Sequence, residues 1–254
     1  MKPPAEIDRW TALAALTPAR IALGRAGPSL PTREVLGFAL DHARARDAVH
    51  IPFDAASVAA QLAALGLETL EVASAARDRP TYLRRPDLGR RLAPASRALL
   101  TERPREDVDL QIVVADGLSS TAVHAHAAAV IAELLPHADA RGWRLGPVML
   151  AHQARVALGD EIGELARARI VFLLVGERPG LSAADSLGAY LTHAPRLGRT
   201  DAERNCISNI RPAGLSYDEA ARRIAWHVTE SLRRGYSGVA LKDESAAAAI
   251  AGPG

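Results

Sequence analysis

A serine pair beside an apolar run is one place in this chain of 254 residues where covalent chemistry is conceivable. The run Gly117-Leu118-Ser119-Ser120-Thr121 joins a predicted strand to a predicted helix, and Asp116 and His124 lie nearby. A nucleophile elbow needs a glycine two residues before and two residues after its serine, and only the first is present here. We therefore favour the alternative in which Ser119 or Ser120 caps the helix with its hydroxyl group.

Metal binding needs donor side chains that converge on one point, and the spacing in this chain does not provide them. His124 and His126 are two residues apart, so on a helix they point in different directions and do not hold one ion. Cys206 is the single cysteine, which excludes a cysteine-rich metal site and an intrachain disulfide framework. We predict neither a metal site nor a self-sufficient catalytic set.

Two further segments are candidates for ligand binding. The run Gly176-Glu177-Arg178-Pro179-Gly180 follows the most apolar segment, and ligands in open α/β sheets bind beyond the carboxyl ends of strands. It lacks the glycine spacing of a dinucleotide site, so a ligand contact at Glu177 and a plain tight turn both stay open. Cys206 has no histidine close in sequence to act as its base, which favours an inert or ligand-lining thiol over a nucleophile.

Residues 1–105 are predicted to be mainly helical. One helix starts after Pro31, which a first turn tolerates, and its apolar residues at helical spacing are Val35, Leu36, Ala39, Leu40 and Ala43. A second helix runs from its N-cap Asp54 to Gly66. The remaining predictions here are a strand over residues 67–72, loops over residues 78–80 and 85–87, and a helix through Leu99.

Residues 106–243 are predicted to form an open, mostly parallel, Rossmann-like α/β domain. Apolar runs alternate with helical segments, which is typical of a parallel sheet covered on both faces. The predicted strands are residues 110–114, 147–150, 170–175 and 188–192, and the predicted helices are 119–135, 160–166 and one from the capping box Ser216-Tyr217-Asp218-Glu219 to Gly235. Residues 195–214 are predicted to be a long irregular loop, and residues 244–254 a flexible tail.

The composition argues against membrane insertion and nucleic-acid binding. Apolar runs such as residues 170–175 are too short to cross a bilayer, and residues 1–9 lack a secretory signal. The net charge is only +2 and aromatic residues make up 4%, unlike the basic, aromatic-rich footprint of a nucleic-acid site. The residues alone predict a cytosolic α/β protein with a ligand-binding edge near Glu177 and Cys206.

Six segments carry a family resemblance: residues 17–27, 82–92, 116–119, 159–164, 175–181 and 201–210. In this order they resemble the small (light) subunit of adenosylcobalamin-dependent ethanolamine ammonia-lyase. The resemblance extends from about residue 17 to residue 242, and the ordered set is more specific than any single segment. It implies a lyase that converts ethanolamine to acetaldehyde and ammonia by adenosylcobalamin radical chemistry, in which the cofactor carries the difficult step.

The resemblance also implies how the work is divided. The large, barrel-shaped subunit holds the substrate and most catalytic groups, so this chain is expected to form a hetero-oligomer with it and to be inactive alone. The residues that match the cobalamin contacts of the family are Val156, Glu177 and Cys206. A carboxylate such as Glu177 suits the corrin rim, because the amide groups there donate N–H bonds.

The cobalamin is expected to keep its own base on cobalt, since residues 41–50 do not fit the D-x-H-x-x-G pattern that replaces this base with histidine. The expected location is the cytoplasm. Residence in a bacterial microcompartment is left open, because some relatives carry a longer N-terminal extension linked to packaging. Two other interpretations stay open: an independent α/β enzyme acting on a small polar substrate near Glu177 and Cys206, and a non-catalytic scaffold.

Overall fold

The computed structural model describes residues 10–17, 19–104 and 107–246. Its helices are α1 (Thr11–Ala14), α2 (Thr32–His50), α3 (Ala55–Ala63), α4 (Arg79–Arg84), α5 (Pro94–Glu102), α6 (Ser120–Arg141), α7 (Leu158–Leu165) and α8 (Tyr217–Arg234). Its strands are β1 (Thr69–Ala73), β2 (Val108–Ala115), β3 (Val148–His152), β4 (Ala168–Gly176), β5 (Leu187–His193) and β6 (Arg204–Ile210). Short 3₁₀ turns span Leu88–Arg90, Asp201–Glu203 and Gly238–Ala240.

The strands form one six-stranded sheet in the order β1-β3-β2-β4-β5-β6. The pairs β1–β3, β3–β2 and β2–β4 are parallel, whereas β4–β5 and β5–β6 are antiparallel. This confirms the predicted open, mostly parallel α/β sheet with helices at the N-terminus. Strand β1 contributes residues from the mainly helical part of the chain, and the predicted boundary at residues 105 and 106 lies outside the described ranges.

The sheet is buried on both faces because alternate residues of its central strands point into two apolar clusters. Ile112 packs with helices α3, α6 and α8 on one face, and its neighbour Val113 packs with α5 and α7 on the other. All eight positions of β2 are buried. Such a strand has no solvent-facing side, which is why residues 112–115 are all apolar. The two polar residues in its first half, Asp109 and Gln111, are buried as well.

Helix α6 is longer than predicted. It continues past Pro136 to Arg141, because Leu134 and Ala138 are buried on either side of the proline and hold the helix in place. Its first turn is capped as expected, with the hydroxyl of Ser119 accepting from the Ala122 N–H. No helix within the described ranges is long and apolar enough to cross a membrane.

Two predicted loops are wrong. Residues 78–80 open helix α4, where the Asp78 carboxylate accepts from the Thr81 N–H at 2.8 Å and Pro80 occupies the first turn. An Asp-Arg-Pro sequence is compatible with a turn and with the start of a helix. In this chain, tertiary packing favours the helix. Residues 195–214 contain a 3₁₀ turn and strand β6 rather than only loop, so Cys206 lies on a strand.

The last helix agrees with its predicted bounds, except that only half of the capping box forms. The Ser216 hydroxyl accepts from the Glu219 N–H, but the Glu219 carboxylate pairs with Arg222 and Arg223 on the next turn. Beyond the helix, Ser245 is buried, and Arg222 donates to its carbonyl at 2.8 Å. The rest of the predicted tail, residues 247–254, lies outside the described residues.

Candidate functional site

Two adjoining cavities lie at the carboxyl ends of strands β2, β3 and β4. The larger has a volume of about 920 Å³ and the smaller about 430 Å³. Arg155, Val156 and Tyr190 line both, so the two form one continuous depression. A third cavity of about 180 Å³ around Gln111 contains none of the predicted contact residues.

The structure brings the three predicted contact residues to this depression. Val156 follows β3 and lines both cavities, Glu177 follows β4 and lines the smaller, and Cys206 lines the larger. Cys206 reaches it from β6 because its partner in the β5–β6 pairing is Tyr190, which lies beside the parallel strands. Placement at a common edge does not test ligand binding, and these contacts stay predictions.

Two glycines set the approach of β2 and β4 at this edge. Gly117 has a φ of +56°, and a Cβ there would overlap the carbonyl oxygen of Gly176. A Cβ at Gly176 would in turn overlap the carbonyl of Ser119. The Leu118 N–H donates to the Gly176 carbonyl at 2.8 Å. The strand ends therefore touch backbone to backbone, which fixes where Glu177 emerges.

Asp116, at the end of β2, fixes the loop that carries Val156. Its two carboxylate oxygens accept from the N–H groups of Gln153 and Ala154, each at 2.9 Å. Burial raises the pKa of Asp116, against the pull of these two bonds and of Arg79, whose guanidinium lies 3.6 Å away. Sequence reasoning noted Asp116 only as a neighbour of the serine pair, although a carboxylate at a buried strand end was the available signal.

The two oxygens of the Glu177 carboxylate differ in their hydrogen bonding. Its Oε2 accepts a short hydrogen bond from the Ser186 hydroxyl and a second one from the Asn209 N–H at 3.3 Å. Its Oε1 has no hydrogen-bond partner within the described part of the chain. A Cβ at Gly188 would lie 2.9 Å from Oε1, so glycine there leaves room for that oxygen. The carboxylate is thus positioned with one acceptor available to a ligand.

Cys206 is a poor nucleophile in this setting. Its side chain is solvent-exposed, yet the surrounding protein atoms desolvate the thiolate and raise the pKa of the thiol. The Tyr190 hydroxyl lowers this pKa by hydrogen bonding, whereas the Glu177 carboxylate raises it further. Arg204, two residues before it, instead pairs with Asp160 and Asp201. A thiol of raised pKa fits a cavity wall rather than covalent catalysis.

Arg155 packs against Tyr82, a contact that sequence reasoning missed. The ring of the fully buried Tyr82 lies 4.3 Å from the Arg155 guanidinium and 4.8 Å from that of Arg79. The backbone N–H of Arg155 donates to the Gly89 carbonyl at 2.8 Å. A Cβ at Gly89 would lie 2.9 Å from the Cγ of the Arg155 side chain. Arg155 is therefore held in place at the wall between the two cavities.

A buried ion pair forms part of the floor of the larger cavity. The side chains of Asp160 and Arg204 are in direct contact, and each is only 3% exposed. Burial raises the pKa of Asp160 to about 6, although the Arg204 guanidinium acts in the opposite direction. The Oδ1 of Asp160 and the Nε of Arg204 are buried without a hydrogen-bond partner among the described residues.

Three of the remaining candidate residues, Ser119, His124 and His126, have structural partners. Besides capping α6, the Ser119 hydroxyl donates to the Ala184 carbonyl at 2.8 Å. His124 accepts from the Asp54 N–H at 2.9 Å, and His126 shares a hydrogen bond with a tyrosine hydroxyl of α8. Across the described ranges, no group of three or more histidine, cysteine, aspartate or glutamate residues is placed to hold a metal ion.

Comparison with known proteins gives consistent matches over nearly the whole chain. A family profile described as ethanolamine ammonia-lyase light chain matches residues 7–242. The chain is 58% identical over 244 residues to a protein named ethanolamine ammonia-lyase small subunit from Rhodopseudomonas palustris (strain BisA53), covering 96% of this chain and 94% of that protein. Proteins of the same name from Bradyrhizobium diazoefficiens and Azotobacter vinelandii are 60% and 55% identical, over 92% and 99% of this chain and 90% and 94% of the relatives.

Proposed function

Because the chain belongs to the ethanolamine ammonia-lyase small-subunit family, we propose that it helps a large catalytic subunit to bind adenosylcobalamin. The complex converts ethanolamine to acetaldehyde and ammonia. The observation that supports this role best is the position of Val156, Glu177 and Cys206 around one depression at the carboxyl edge of the sheet. Ligands of open α/β sheets bind at this edge. The substrate and the groups that act on it are assigned to the large subunit.

The residues at this edge suit the chemistry of a corrin ring. Amide groups at the corrin rim donate hydrogen bonds, and the free Oε1 of Glu177 accepts them. Val156 provides an apolar contact, and Cys206 a compact, uncharged one. When bound, adenosylcobalamin supplies the radical chemistry of the reaction. This chain binds, orients and shields the cofactor, with Asp116 and Ser186 holding the contact residues in position.

We propose that the exposed apolar side of helix α2 contacts the large subunit. The apolar stripe predicted from the sequence, here called the α2 stripe, consists of Val35, Leu36, Ala39, Leu40 and Ala43. All five are exposed in this chain alone, with Leu36 at 63%. A contiguous exposed apolar surface indicates an interaction site, and the shielded cofactor requires a closed interface. The isolated chain is therefore expected to aggregate more readily than the complex.

Reconstitution with the large subunit tests the proposed function. Ethanolamine turnover is measured with this chain alone, with the large subunit alone, and with both, each in the presence of adenosylcobalamin. We expect turnover only with both subunits. Turnover by this chain with cofactor alone would contradict the proposal and favour an independent enzyme. A mixture that neither associates nor turns over would favour a scaffold without a ligand.

Glu177→Ala tests the contact to the cofactor. Loss of charge-assisted hydrogen bonds of about 1.5–3 kcal/mol each lowers cobalamin affinity roughly ten- to a hundredfold, while turnover at saturating cofactor is largely kept. Ser186→Ala is the matched control, because it removes the hydroxyl that holds Oε2 and leaves the carboxylate in place. The control is expected to lose much less affinity. Equal losses in both variants would assign the effect to the local fold.

Cys206 separates a lining role from a catalytic one. Cys206→Ala is expected to have a mild effect, because the cavity wall keeps its shape. Cys206→Trp is expected to block cofactor binding by its bulk. Titration of adenosylcobalamin into each complex, followed by the saturated rate, distinguishes the roles. Loss of rate with full cofactor binding in Cys206→Ala would contradict the lining role.

A further inference from the structure

The larger cavity has a positive surplus that the contact residues above do not explain. Five arginines line it, namely Arg90, Arg91, Arg155, Arg199 and Arg204, against three aspartates. The formal surplus is two positive charges. A cavity walled by arginines concentrates anions, because guanidinium groups present several donors in a planar fork.

Only two of these arginines are neutralised by neighbouring carboxylates. Arg199 contacts Glu203, and Arg204 contacts Asp160. For the other three, which we call the arginine cluster (Arg90, Arg91 and Arg155), the described part of the chain provides no ion pair. The cluster is therefore the part of the cavity wall that is available to an external anion.

The cluster is built into the fold through Arg155. This side chain lies against the Tyr82 ring and against Gly89, and its Nε is buried without a hydrogen-bond partner in the described ranges. An unpartnered buried donor is unfavourable unless a ligand or water satisfies it. The Nε of Arg204, in a side chain that is 3% exposed on the same cavity, is in the same state. Because Asp160, the ion-pair partner of Arg204, carries an equally unpartnered Oδ1, Arg155 is the donor that points to an anionic ligand.

We infer that the arginine cluster binds the phosphodiester of the nucleotide tail of cobalamin. This rests on the proposed function and adds a second contact class to it. The corrin rim of cobalamin bears neutral amides, which suit the acceptor Glu177, whereas its nucleotide tail bears a phosphodiester anion, which suits arginine. Arg155 and Val156 line both cavities, so a ligand with its rim at Glu177 extends directly toward the cluster.

A pair of corrinoids tests the inference in the assembled large–small complex. Adenosylcobalamin carries the nucleotide tail, and adenosylcobinamide lacks both the phosphodiester and the base. Dissociation constants for both are measured by absorbance titration for the unaltered complex, Arg91→Met and Arg155→Met. Arg91 is exposed, so its variant is expected to fold even if Arg155→Met does not. Arg84→Met is the control, since Arg84 is an exposed arginine of α4 outside the cavity.

We expect Arg91→Met to weaken adenosylcobalamin about tenfold, the loss of one charge-assisted bond, and adenosylcobinamide less than about twofold. Inorganic phosphate is expected to compete with adenosylcobalamin and not with adenosylcobinamide. Equal loss for both corrinoids, or no loss for either, would overturn the inference. Weakened assembly with unchanged discrimination would also overturn it, by assigning the cluster to an acidic surface of the large subunit. An unaltered complex that binds neither corrinoid would overturn the proposed function itself.

Discussion

The apolar side chains of strand β2 are buried, whereas most of those of helix α2 are exposed to solvent. Every residue of β2 is buried between two layers of helices. Helix α2 is 19 residues long, and Ala48 is the residue that it buries. Both segments have apolar residues at positions that favour burial. Only those of the strand are all packed against other parts of the described chain.

The difference teaches that periodicity identifies a surface that is removed from water but not the chain that covers it. The α/β domain folds around its own core, so its stability is measurable on the isolated chain. The α2 stripe is expected to contribute only when the large subunit is present. Substitutions in the two regions therefore separate stability from assembly.

The largest stability effect is expected at Phe172. This side chain is fully buried in β4, and Phe172→Ala is expected to lower the free energy of unfolding by about 3–5 kcal/mol. Urea unfolding of the isolated chain measures it. A loss below about 1 kcal/mol would contradict the assignment of the core to this sheet.

The buried pair of Asp160 and Arg204 predicts a pH dependence. The pKa of Asp160 in the folded chain is about 6, above its usual 3.8, so the folded state holds this proton more tightly than the unfolded state. Its contribution is therefore fully present below about pH 4 and is lost as the pH rises through about 6, by up to about 3 kcal/mol. Asp160→Asn should remove this slope in unfolding experiments across that range. An identical slope in both proteins would show that Asp160 does not titrate there.

An intermediate effect is expected at the start of α6. Ser119→Ala removes the N-cap and is expected to lower the free energy of unfolding by about 1 kcal/mol. Ser120→Ala is the matched control, because the Ser120 hydroxyl is buried without a hydrogen-bond partner within the described residues. The control should be neutral or slightly stabilising. A larger loss in the control would reverse the capping assignment.

The smallest stability effect is expected on the α2 stripe. Leu36→Asp should change the unfolding free energy of the isolated chain by less than about 0.5 kcal/mol, because Leu36 is exposed. The same change should weaken association with the large subunit about tenfold or more, since it places a charge in an apolar interface. Sedimentation of the mixed subunits measures association. Unchanged association would remove α2 from the interface.

The elements that sequence predicted well are those with one dominant pattern. Residues 170–175 predict β4 because a strand buried on both faces is apolar throughout. Strand β6 escaped prediction because it lies at the sheet edge, where polar residues such as Asn205 and Ser208 occupy its more exposed positions. Helix α4 escaped because its Asp-Arg-Pro start is equally typical of a turn.

The residues of the candidate site also fall into those that the sequence predicted and those that it did not. The strand-end rule led to Glu177, and the absence of a nearby base marked Cys206 as a ligand-lining thiol. The family resemblance added Val156. Nothing local marks Arg155, whose neighbour Tyr82 is 73 residues away in sequence and meets it only in the folded chain. Contacts of this kind depend on the topology of the sheet, which a single sequence does not specify.

Protection of Cys206 is the most direct test of the claim that cobalamin lies at the carboxyl edge of this sheet. Cys206 is the single cysteine of the chain and its side chain is exposed in the larger cavity, so alkylation followed by mass spectrometry reports on that cavity alone. The reaction requires mildly alkaline pH, because the pKa of the thiol is raised. In the assembled complex, saturating adenosylcobalamin is expected to slow alkylation of Cys206 in proportion to its occupancy. An equal rate with and without bound cofactor would contradict the account.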